Sequence, residues 1–342
     1  MVDVPQIFLA PDYSVSRLIK GGWQLAGGHG VVPQAAAHHH MAAFVDAGIT
    51  TFDCADIYTG VESLIGEFLR TRPRGAVQVH TKCVPDLGRL ATLTAHDIAT
   101  TVDRSRTRLG VDALDLVQFH WWDLARGDFV AAARTLGDLQ AAGALRHIGL
   151  TNFAVAPLER ILDAGVPVVS HQVQYSLLDR RPASAMADLC VKRGIGLLCY
   201  GALAGGFMHE RWLGAAEPAE PLENRSLVKY KLIIDECGGW ARFQSLLSLL
   251  SGIAAEHGVR LGAIAIRWVL DQPGVAAVIV GARNTAHLPD TLAALTVELS
   301  AYQRDRLSDF LLESPAPRGD VYELERDREG RHGRIMRYDL GR

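Results

Sequence analysis

The strongest constraint on the fold is an alternation repeated along most of the chain: a helix-like segment, a glycine, then a short apolar run. Gly48, Gly110, Gly143, Gly165 and Gly194 each stand between such a helix and such a run. Glycine at this place is typical of a helix carboxyl terminus, where the backbone needs a positive φ. The runs are almost continuously apolar, as in parallel strands that are covered on both faces. The pattern therefore predicts a parallel α/β protein.

Eight of the apolar runs are predicted to be strands. They are residues 18–23, 48–52, 77–81, 114–119, 146–151, 167–172, 194–200 and 275–280. Eight strands alternating with helices predict a closed (β/α)8 barrel, the TIM barrel, rather than an open doubly wound sheet. The first strand is followed by QLAGGHG, which does not fit the G-x-G-x-x-G turn of an open dinucleotide-binding sheet. Thr94 and Asp97 are predicted to form a capping box at the start of a helix.

The length of 342 residues is compatible with one barrel domain, because such barrels commonly exceed about 250 residues. We expect residues 1–342 to form this single domain with two additions. A long loop is predicted at about 206–240, after the seventh strand. A tail that is dense in charge begins at about 312, and its composition predicts a solvated segment.

Composition argues against several classes of partner. The net charge is −3 with no run of Lys or Arg, so nucleic-acid binding is not expected. The amino terminus lacks the pattern of a signal peptide, and no apolar stretch is long enough to span a membrane. The five cysteines, Cys54, Cys83, Cys190, Cys199 and Cys237, show no C-x-x-C pair and are expected to be reduced. These features predict a cytoplasmic protein and leave its oligomeric state open.

Polar or ionisable residues follow nearly every predicted strand at its carboxyl end. They are Asp53, Lys82, His120, Thr151 with Asn152, Gln172, Tyr200, and Gly281 with Arg283. All these positions lie on the face where barrel enzymes build their active sites. One polar residue at one strand end carries little information, but a series at consecutive ends predicts a single site.

Three residues of this series, Asp53, Lys82 and His120, suggest carbonyl chemistry together with Tyr58, which follows Asp53 by five residues. A free tyrosine has a pKa of roughly 10 and is a poor acid at neutral pH. An ammonium group at Lys82 would favour the phenolate of Tyr58, and Asp53 would hold that ammonium charged and in place. His120 could orient a carbonyl oxygen or relay a proton. Such a group can donate a proton to a carbonyl oxygen as negative charge develops, while a cofactor supplies the hydride.

Five motifs carry a family resemblance. They are GITTFDCADIYTGVESLIGEFL, VQVHTK, LDLVQFHWW, IGLTNF and VIVGARNTAHLPD. Together they resemble the aldo-keto reductase family, and the resemblance covers nearly all of residues 15–300. The first motif has the family's aspartate, a tyrosine five residues later, and a glutamate and a glycine in the next helix.

The resemblance implies catalytic roles for Asp53, Tyr58, Lys82 and His120. It implies cofactor contacts at Gly22, Trp23, Thr151, Asn152, Gln172, Tyr200, Gly201, Leu203, Gly205, Gly281, Arg283, His287 and Asp290. Within this set, Tyr200 is expected to stack on the nicotinamide ring, and Thr151, Asn152 and Gln172 are expected to bind its carboxamide. Trp23 and Trp121 are implied to be aromatic walls of the substrate pocket.

The family uses NADPH most often and needs no metal, so NADP(H) is expected here, with NAD(H) as the alternative and no metal. Many members bind the 2′-phosphate through a lysine at the position of Gly281 and an arginine at that of His287. This chain has neither and offers Arg283 instead. Because guanidinium groups suit phosphate, we expect Arg283 to bind it.

The expected activity is the reduction of a small aldehyde or ketone to its alcohol, or the reverse. One alternative is an NAD-dependent sugar or alcohol dehydrogenase. Another is a regulatory subunit that senses the nicotinamide cofactor and turns over little. A barrel lyase that depends on metal or phosphate is not supported, since clustered carboxylate ligands and a phosphate loop are missing from the sequence.

Several residues near these motifs have simpler interpretations. Asp56 is expected to be a helix-start or turn residue. Trp122 is expected to be a core aromatic. The run His38–His40 is expected to be a solvated helix start, away from the site and not a metal site.

Overall fold

The computed structural model describes residues 3–27, 30 and 32–338, and in them eight parallel strands close into a barrel. The barrel strands are β3 (Leu18–Gly21), β4 (Thr51–Asp53), β5 (Gln78–Cys83), β6 (Leu114–Phe119), β7 (Leu145–Thr151), β8 (Val168–Gln174), β9 (Gly196–Tyr200) and β10 (Val275–Gly281). Neighbouring strands follow the chain order, and β10 pairs with β3 to close the barrel. The predicted (β/α)8 barrel is confirmed, and each predicted strand overlaps an observed one.

Helices surround the barrel and cover its strands. They are α1 (Gln34–Asp46), α2 (Val61–Leu69), α3 (Ala95–Leu109), α4 (Phe129–Ala141), α5 (Val155–Asp163), α6 (Ala185–Arg193), α7 (Arg225–Glu236), α8 (Gly239–His257), α9 (Leu261–Leu270), α10 (Leu288–Ala293), α11 (Ala301–Leu312), α12 (Glu323–Arg326) and α13 (Arg331–Arg334). Thr94 and Asp97 form the predicted capping box of α3, and Gly110 ends this helix with a φ of 68°. No single helix in the described ranges is long and apolar enough to cross a membrane; α8 and α9 meet that test only as a pair bent by 93°.

An antiparallel hairpin, which was not predicted, precedes the barrel. Its strands are β1 (Gln6–Ala10) and β2 (Tyr13–Ser16). The side chains of Tyr13 and Val15 are buried in one apolar cluster with Leu116, a residue of β6. The hairpin therefore covers the end of the barrel opposite the carboxyl ends of the strands.

The segment predicted as a long loop at 206–240 is partly helical. It contains α7, whose amino terminus is capped by the side chain of Asn224. Leu227, Tyr230 and Ile233 of α7 are buried at spacings of three residues, and this face of the helix packs in one apolar cluster with residues of α8. The helix brings its amino-terminal half to the same end of the barrel as the predicted site.

The tail after α11 was predicted to be solvated, but its described part, up to residue 338, packs on the carboxyl end of the barrel. The Arg181 guanidinium lies 2.7 Å from Asp179 and 3.0 Å from Glu325 of α12, and all three side chains are buried. Glu325 of the tail is therefore held in a buried ion pair with the loop after β8 rather than in solvent. Residues 339–342 of the predicted tail lie outside the described residues.

Candidate active site

A cavity of about 950 Å³ opens at the carboxyl ends of the barrel strands. This volume is at the upper end of the range of roughly 300–1,000 Å³ that is usual for ligand pockets. The predicted site residues that line it are Asp53, Tyr58, Lys82, His120, Trp23, Thr151, Asn152, Gln172, Tyr200, Gly201, Leu203, Gly205, Gly281, Arg283, His287 and Asp290. Gly22 and Trp121, which were also predicted to contact ligands, are not part of this lining.

A buried ion pair lies at the base of the cavity. The Nζ atom of Lys82, on β5, is 2.7 Å from a carboxylate oxygen of Asp53, at the end of β4, and 2.8 Å from the carbonyl oxygen of Cys54. Burial alone would lower the pKa of Lys82, but the Asp53 carboxylate and the nearby Tyr58 outweigh it and raise this pKa. Lys82 is therefore charged at neutral pH, as the sequence predicted.

Tyr58 lies beside this ion pair. The ammonium of Lys82 is 5.3 Å from the centre of the Tyr58 ring, and the ring of Trp23 packs edge-on against Tyr58 at 5.1 Å. The ammonium acts to lower the pKa of Tyr58, as expected from the sequence. Burial has the larger effect, however, so the pKa of Tyr58 is raised above its ordinary value.

His120, directly after β6, is neutral and fixed by its neighbours. Its Nδ1 is 3.2 Å from the carbonyl oxygen of Thr151, and its Nε2 has no partner among the described residues. The rings of Trp122 and Tyr322 pack perpendicular to it at 4.3 and 5.5 Å. Burial, together with the nearby Arg326 guanidinium, lowers the pKa of His120 to about 3.

The side-chain amides predicted to bind a carboxamide already have partners within the protein. The Gln172 amide nitrogen donates to Asp53 at 2.6 Å and to Gln118 at 2.9 Å. Asn152 accepts a hydrogen bond of 2.9 Å from the hydroxyl of Tyr200. The Thr151 hydroxyl is buried and has no partner among the described residues, so it is available to a ligand.

Two predicted cofactor-contact glycines, Gly201 and Gly205, allow α7 to approach the barrel. Both have positive φ, and a Cβ on them would lie 2.4 Å and 2.7 Å from Tyr230 of α7. Any other residue at these positions would therefore displace Tyr230. The glycines bring the cavity wall and α7 together, with Leu203 between them on the lining.

The outer end of the cavity lies after β10 and carries charged groups. Arg283 is on the lining, and Asp290 has His287 at 3.8 Å and Arg260 at 3.8 Å. Separations this long between exposed groups contribute little to stability. Cationic groups at this end suit a phosphate.

Two adjacent tryptophans, Trp121 and Trp122, follow β6, and they differ in whether they reach the cavity. Trp121, expected to be a pocket wall, is 1% exposed in the core, and its indole nitrogen donates to the carbonyl oxygens of Asp123 and Arg126. Trp122, expected to be in the core, is buried in the main apolar cluster and also lies on the cavity lining. The sequence does not indicate which of two adjacent tryptophans just after a strand contributes to the cavity lining.

Gly22 acts behind the cavity lining rather than on it. Its backbone nitrogen donates to the carbonyl oxygen of Asp53 at 2.7 Å, and a Cβ would lie 2.9 Å from that oxygen. A glycine is needed there so that the end of β3 can approach Asp53. This close approach positions Asp53 relative to the cavity.

Asp56 lies in a turn before α2, as expected, but its side chain is buried and paired. Its carboxylate is buried, 3.4 Å from the Val84 backbone nitrogen and 3.7 Å from Arg104, and its Oδ1 has no partner among the described residues. A second buried carboxylate, Glu62, is paired with Arg108 at 3.1 Å, and that arginine also donates to the Asp56 carbonyl oxygen. Burial and Glu62 raise the pKa of Asp56 to about 7.

This pKa predicts a pH-dependent effect of Asp56→Asn. In the folded chain Asp56 keeps its proton up to about pH 7, whereas in the unfolded chain it loses the proton near its ordinary pKa of 3.8. This group therefore makes folding less favourable as the pH rises from about 4 to about 7. Asparagine resembles the protonated form. The free energy of unfolding of the variant, minus that of the wild type, should therefore rise by about 2–3 kcal/mol between pH 5 and pH 8, measured by urea unfolding. A difference independent of pH would contradict the assignment.

The sequence did not identify two residues of the tail that complete the site. Tyr322 lines the cavity and has a φ of 61°, a left-handed backbone conformation that is rare for a bulky residue. The guanidinium of Arg326 donates to the carbonyl oxygens of Trp121 and Asn152, which fixes the tail to the ends of β6 and β7. Only long-range packing places these residues, and no local motif marks them.

The fold is a (β/α)8 barrel whose cavity, with the candidate site residues on its lining, lies at the carboxyl ends of the strands. A sequence model described as "Aldo/keto reductase family" matches residues 17–311. This is most of the chain, so the chain belongs to the aldo/keto reductase family. Members of the family are NAD(P)-dependent oxidoreductases that act on small-molecule carbonyl substrates.

Curated relatives are similar at moderate identity. Flagellar radial spoke protein 5 of Chlamydomonas reinhardtii is 32% identical over 64% of this chain, which spans about half (49%) of that protein's length. The NADH-specific methylglyoxal reductase of Escherichia coli is 25% identical over 84% of this chain and 92% of its own. A putative aryl-alcohol dehydrogenase of Schizosaccharomyces pombe is 28% identical over 76% of this chain and 87% of its own.

Solved structures share the fold. The glycerol dehydrogenase of Gluconobacter oxydans superimposes with a TM-score of 0.78 at 24% identity, over 93% of this chain and 97% of its own. A holo-form aldo-keto reductase of Bacillus halodurans superimposes with a TM-score of 0.72 at 23% identity, over 95% of this chain and 100% of its own. At these identities the similarity supports the fold alone.

The residues of the cavity fit a nicotinamide dinucleotide. The deep end offers the partnerless Thr151 hydroxyl and the aromatic ring of Tyr200, and the outer end offers Arg283. The described residues contain no group of three or more His, Cys, Asp or Glu side chains arranged to hold a metal ion.

Proposed function

We propose that this chain interconverts an aldehyde or ketone with its alcohol, with Tyr58 as the proton donor in the reductive direction. The observation that carries the proposal is the buried Lys82–Asp53 pair, 2.7 Å apart, beside the Tyr58 ring on the wall of the cavity. An ammonium so close to a buried phenol stabilises the phenolate that forms when the proton leaves. The names of two relatives, a methylglyoxal reductase and a putative aryl-alcohol dehydrogenase, agree with this chemistry.

The proposed mechanism assigns one role to each of the four residues. When bound, the nicotinamide cofactor supplies the hydride that the carbonyl carbon receives. Tyr58 donates its hydroxyl proton to the carbonyl oxygen as negative charge develops there. Lys82 stabilises the resulting phenolate, and Asp53 keeps Lys82 charged and in place. His120 orients the substrate beside Tyr58.

We propose that the cofactor is held along the cavity, with NADP(H) preferred over NAD(H). Thr151, Asn152 and Gln172 would surround the carboxamide, once the two amides exchange their present partners, and Tyr200 would stack on the ring. Gly201, Leu203 and Gly205 would lie along the pyrophosphate. Gly281, Arg283, His287 and Asp290 would surround the adenosine end, where Arg283 supplies the cation for a 2′-phosphate.

Replacement of Arg283 with alanine tests this preference. We expect the Kd for NADPH to rise about tenfold or more, because a charge-assisted hydrogen bond to phosphate is lost, while the Kd for NADH changes little. Fluorescence titration of both cofactors against the same protein measures the two values. Equal changes for NADPH and NADH would contradict the role of Arg283.

The activity itself is tested with a panel of aldehydes, ketones and sugars in the presence of NADPH or NADH. Oxidation of the cofactor, followed by its absorbance, should depend on the carbonyl compound. Tight cofactor binding without turnover of any compound in the panel would favour the regulatory-subunit alternative. Much faster turnover when the same protein is given alcohols and NAD would favour a dehydrogenase working mainly in the oxidative direction.

We also propose a cytoplasmic location. Cys54, Cys83, Cys190, Cys199 and Cys237 are all buried, and none forms a disulfide. Such cysteines suit a reducing compartment. Fractionation of cells that express the protein would test this, and recovery outside the cytoplasm would contradict it.

A further inference from the structure

A layer of buried polar side chains lies inside the barrel, at the base of the cavity. Its members Asp53, Gln118 and Gln172 come from the alternate strands β4, β6 and β8, as expected for one interior layer of a barrel. Such layers are usually filled by Val, Ile and Leu. Leu116, two residues before Gln118 on the same strand, follows this rule and belongs to an apolar cluster. A polar layer is unusual in this place, because buried polar groups cost stability unless they are fully paired.

Gln118 differs from the other two members of this layer because it does not reach the cavity. Asp53 and Gln172 are on the cavity lining, whereas Gln118 is not part of the lining and is 0% exposed. In the register between β5 and β6, Gln118 is the direct neighbour of Lys82. Gln118 can therefore influence a ligand only through the side chains that it contacts.

The hydrogen bonds of Gln118 connect it to both other members of the layer. Its amide nitrogen donates to Oδ1 of Asp53 at 2.8 Å, and its oxygen accepts from the Gln172 amide nitrogen at 2.9 Å. An ionised carboxylate only accepts hydrogen bonds, so Gln118 must turn its nitrogen and not its oxygen toward Asp53. The other carboxylate oxygen, Oδ2, accepts from the ammonium of Lys82 at 2.7 Å. Gln118 therefore holds one oxygen of Asp53 while the second oxygen faces Lys82.

Gln172 donates to the same oxygen of Asp53, at 2.6 Å, but its position is different. It is on the cavity lining, and we propose above that it exchanges its partners when the cofactor binds. The hydrogen bond from Gln118 can persist when the site is filled, because Gln118 does not reach the ligand. Gln118 is then the side-chain amide that keeps Oδ1 of Asp53 paired.

We propose that Gln118 is a positioning residue of the reaction, which acts on Tyr58 through the buried ion pair. Its hydrogen bond prevents the Asp53 carboxylate from turning, so Oδ2 stays on Lys82 and the ammonium stays beside the phenol ring. The donated hydrogen also offsets part of the Asp53 charge, which acts against formation of the Tyr58 phenolate. The inference rests on the proposed function, because it concerns the same proton donor.

The first test replaces Gln118 with methionine, which is similar in length and has no amide to donate a hydrogen bond. We expect kcat for carbonyl reduction to fall about tenfold or more, the usual effect of losing a hydrogen bond to a charged group. KM for the carbonyl compound and the Kd for NADPH should change little, since Gln118 does not reach the cavity. An unchanged kcat, or a rise in KM or Kd as large as the fall in kcat, would overturn the inference.

A matched control for this variant is Gln303→Met. Gln303 is also a buried glutamine whose amide nitrogen donates to a carboxylate, that of Glu256 at 2.6 Å, but it lies on α11, outside the barrel. Urea unfolding should show a loss of stability in both variants, whereas kcat should fall only in Gln118→Met. An equal fall of kcat in both variants would indicate a general effect of lost stability and would overturn the inference.

The second test measures the ionisation of Tyr58 without turnover. Carbon-13 NMR of the tyrosine ring carbon that bears the hydroxyl, assigned by Tyr58→Phe, follows this ionisation as the pH is raised. In Gln118→Met the charge of Asp53 is less offset, so the pKa of Tyr58 should be higher than in the wild type. An unchanged or lower pKa would overturn the inference.

A second variant, Gln118→Glu, tests the same role if the methionine variant does not fold. It keeps the shape of the side chain and places a second carboxyl group against Asp53, and two carboxyl groups in contact share one proton. As the pH rises and this shared proton is lost, kcat for reduction should fall through an ionisation that the wild type lacks. A pH profile equal to that of the wild type would overturn the inference.

These outcomes separate the role of Gln118 from the proposed function. If the wild type reduced no carbonyl compound, the proposed function would be refuted, and the NMR titration would still test whether Gln118 acts on Tyr58. If the wild type reduced carbonyl compounds and Gln118→Met had the same kcat and the same Tyr58 pKa, only the role of Gln118 would be refuted.

Discussion

Replacing Tyr58 with phenylalanine is expected to lower kcat for carbonyl reduction by about 10²–10⁴-fold, the usual contribution of a positioned proton donor. The phenylalanine ring keeps the packing against Trp23 and removes only the hydroxyl. Cofactor binding should therefore persist, and fluorescence titration would check it on the same sample used for the rate measurement.

A matched control for this variant is Tyr13→Phe. Tyr13 is also a buried tyrosine, and its hydroxyl is 3.0 Å from Nε2 of His80, but it lies in the hairpin on the opposite side of the barrel. This variant should retain turnover if it folds, as judged by circular dichroism. Equal turnover in wild type and Tyr58→Phe, or an equal loss in both variants, would contradict the assignment of Tyr58.

Replacing Lys82 with methionine is expected to affect both rate and stability. Asp53 would be left as a buried carboxylate without its cation, which costs about 3–5 kcal/mol in the free energy of unfolding. Turnover should also fall strongly, since no ammonium would remain to stabilise the Tyr58 phenolate. Urea unfolding and steady-state kinetics measure the two effects separately.

The double variant Lys82→Met with Asp53→Asn separates these two roles. A neutral amide can keep accepting from Gln172 without leaving a charge unpaired, so much of the lost stability should return. Turnover should remain low because the ammonium is still missing. Recovery of turnover together with stability would show that Lys82 acts only as a partner of Asp53.

The barrel could be predicted because its signals are local. Gly110 and Gly194 mark helix ends through positive φ, and Thr94 marks a helix start through its capping box. The polar residues at the strand ends were predicted to form one site, because the carboxyl ends of the parallel strands of a barrel all lie on the same face. Asp53 and Lys82 then meet at 2.7 Å as a consequence of the register between β4 and β5.

The rest of the site depends on contacts between distant parts of the chain. Arg326 reaches the carbonyl oxygens of Trp121 and Asn152 from far along the sequence, and no local pattern specifies this contact. The choice between Trp121 and Trp122 also depends on side-chain direction just after a strand has ended, where the alternation of a strand no longer applies. Likewise, the net pKa of Tyr58 depends on its burial, which outweighs the ammonium of Lys82.

The most direct test of the central claim, that Tyr58 exchanges the proton with the substrate, is the pH dependence of single-turnover alcohol oxidation. In this direction Tyr58 must accept a proton, so its phenolate is the active form. The rate should rise with pH through an ionisation in the alkaline range, because burial raises the pKa of Tyr58, and this ionisation should be missing in Tyr58→Phe. The same rate and pH profile in both proteins would contradict the account.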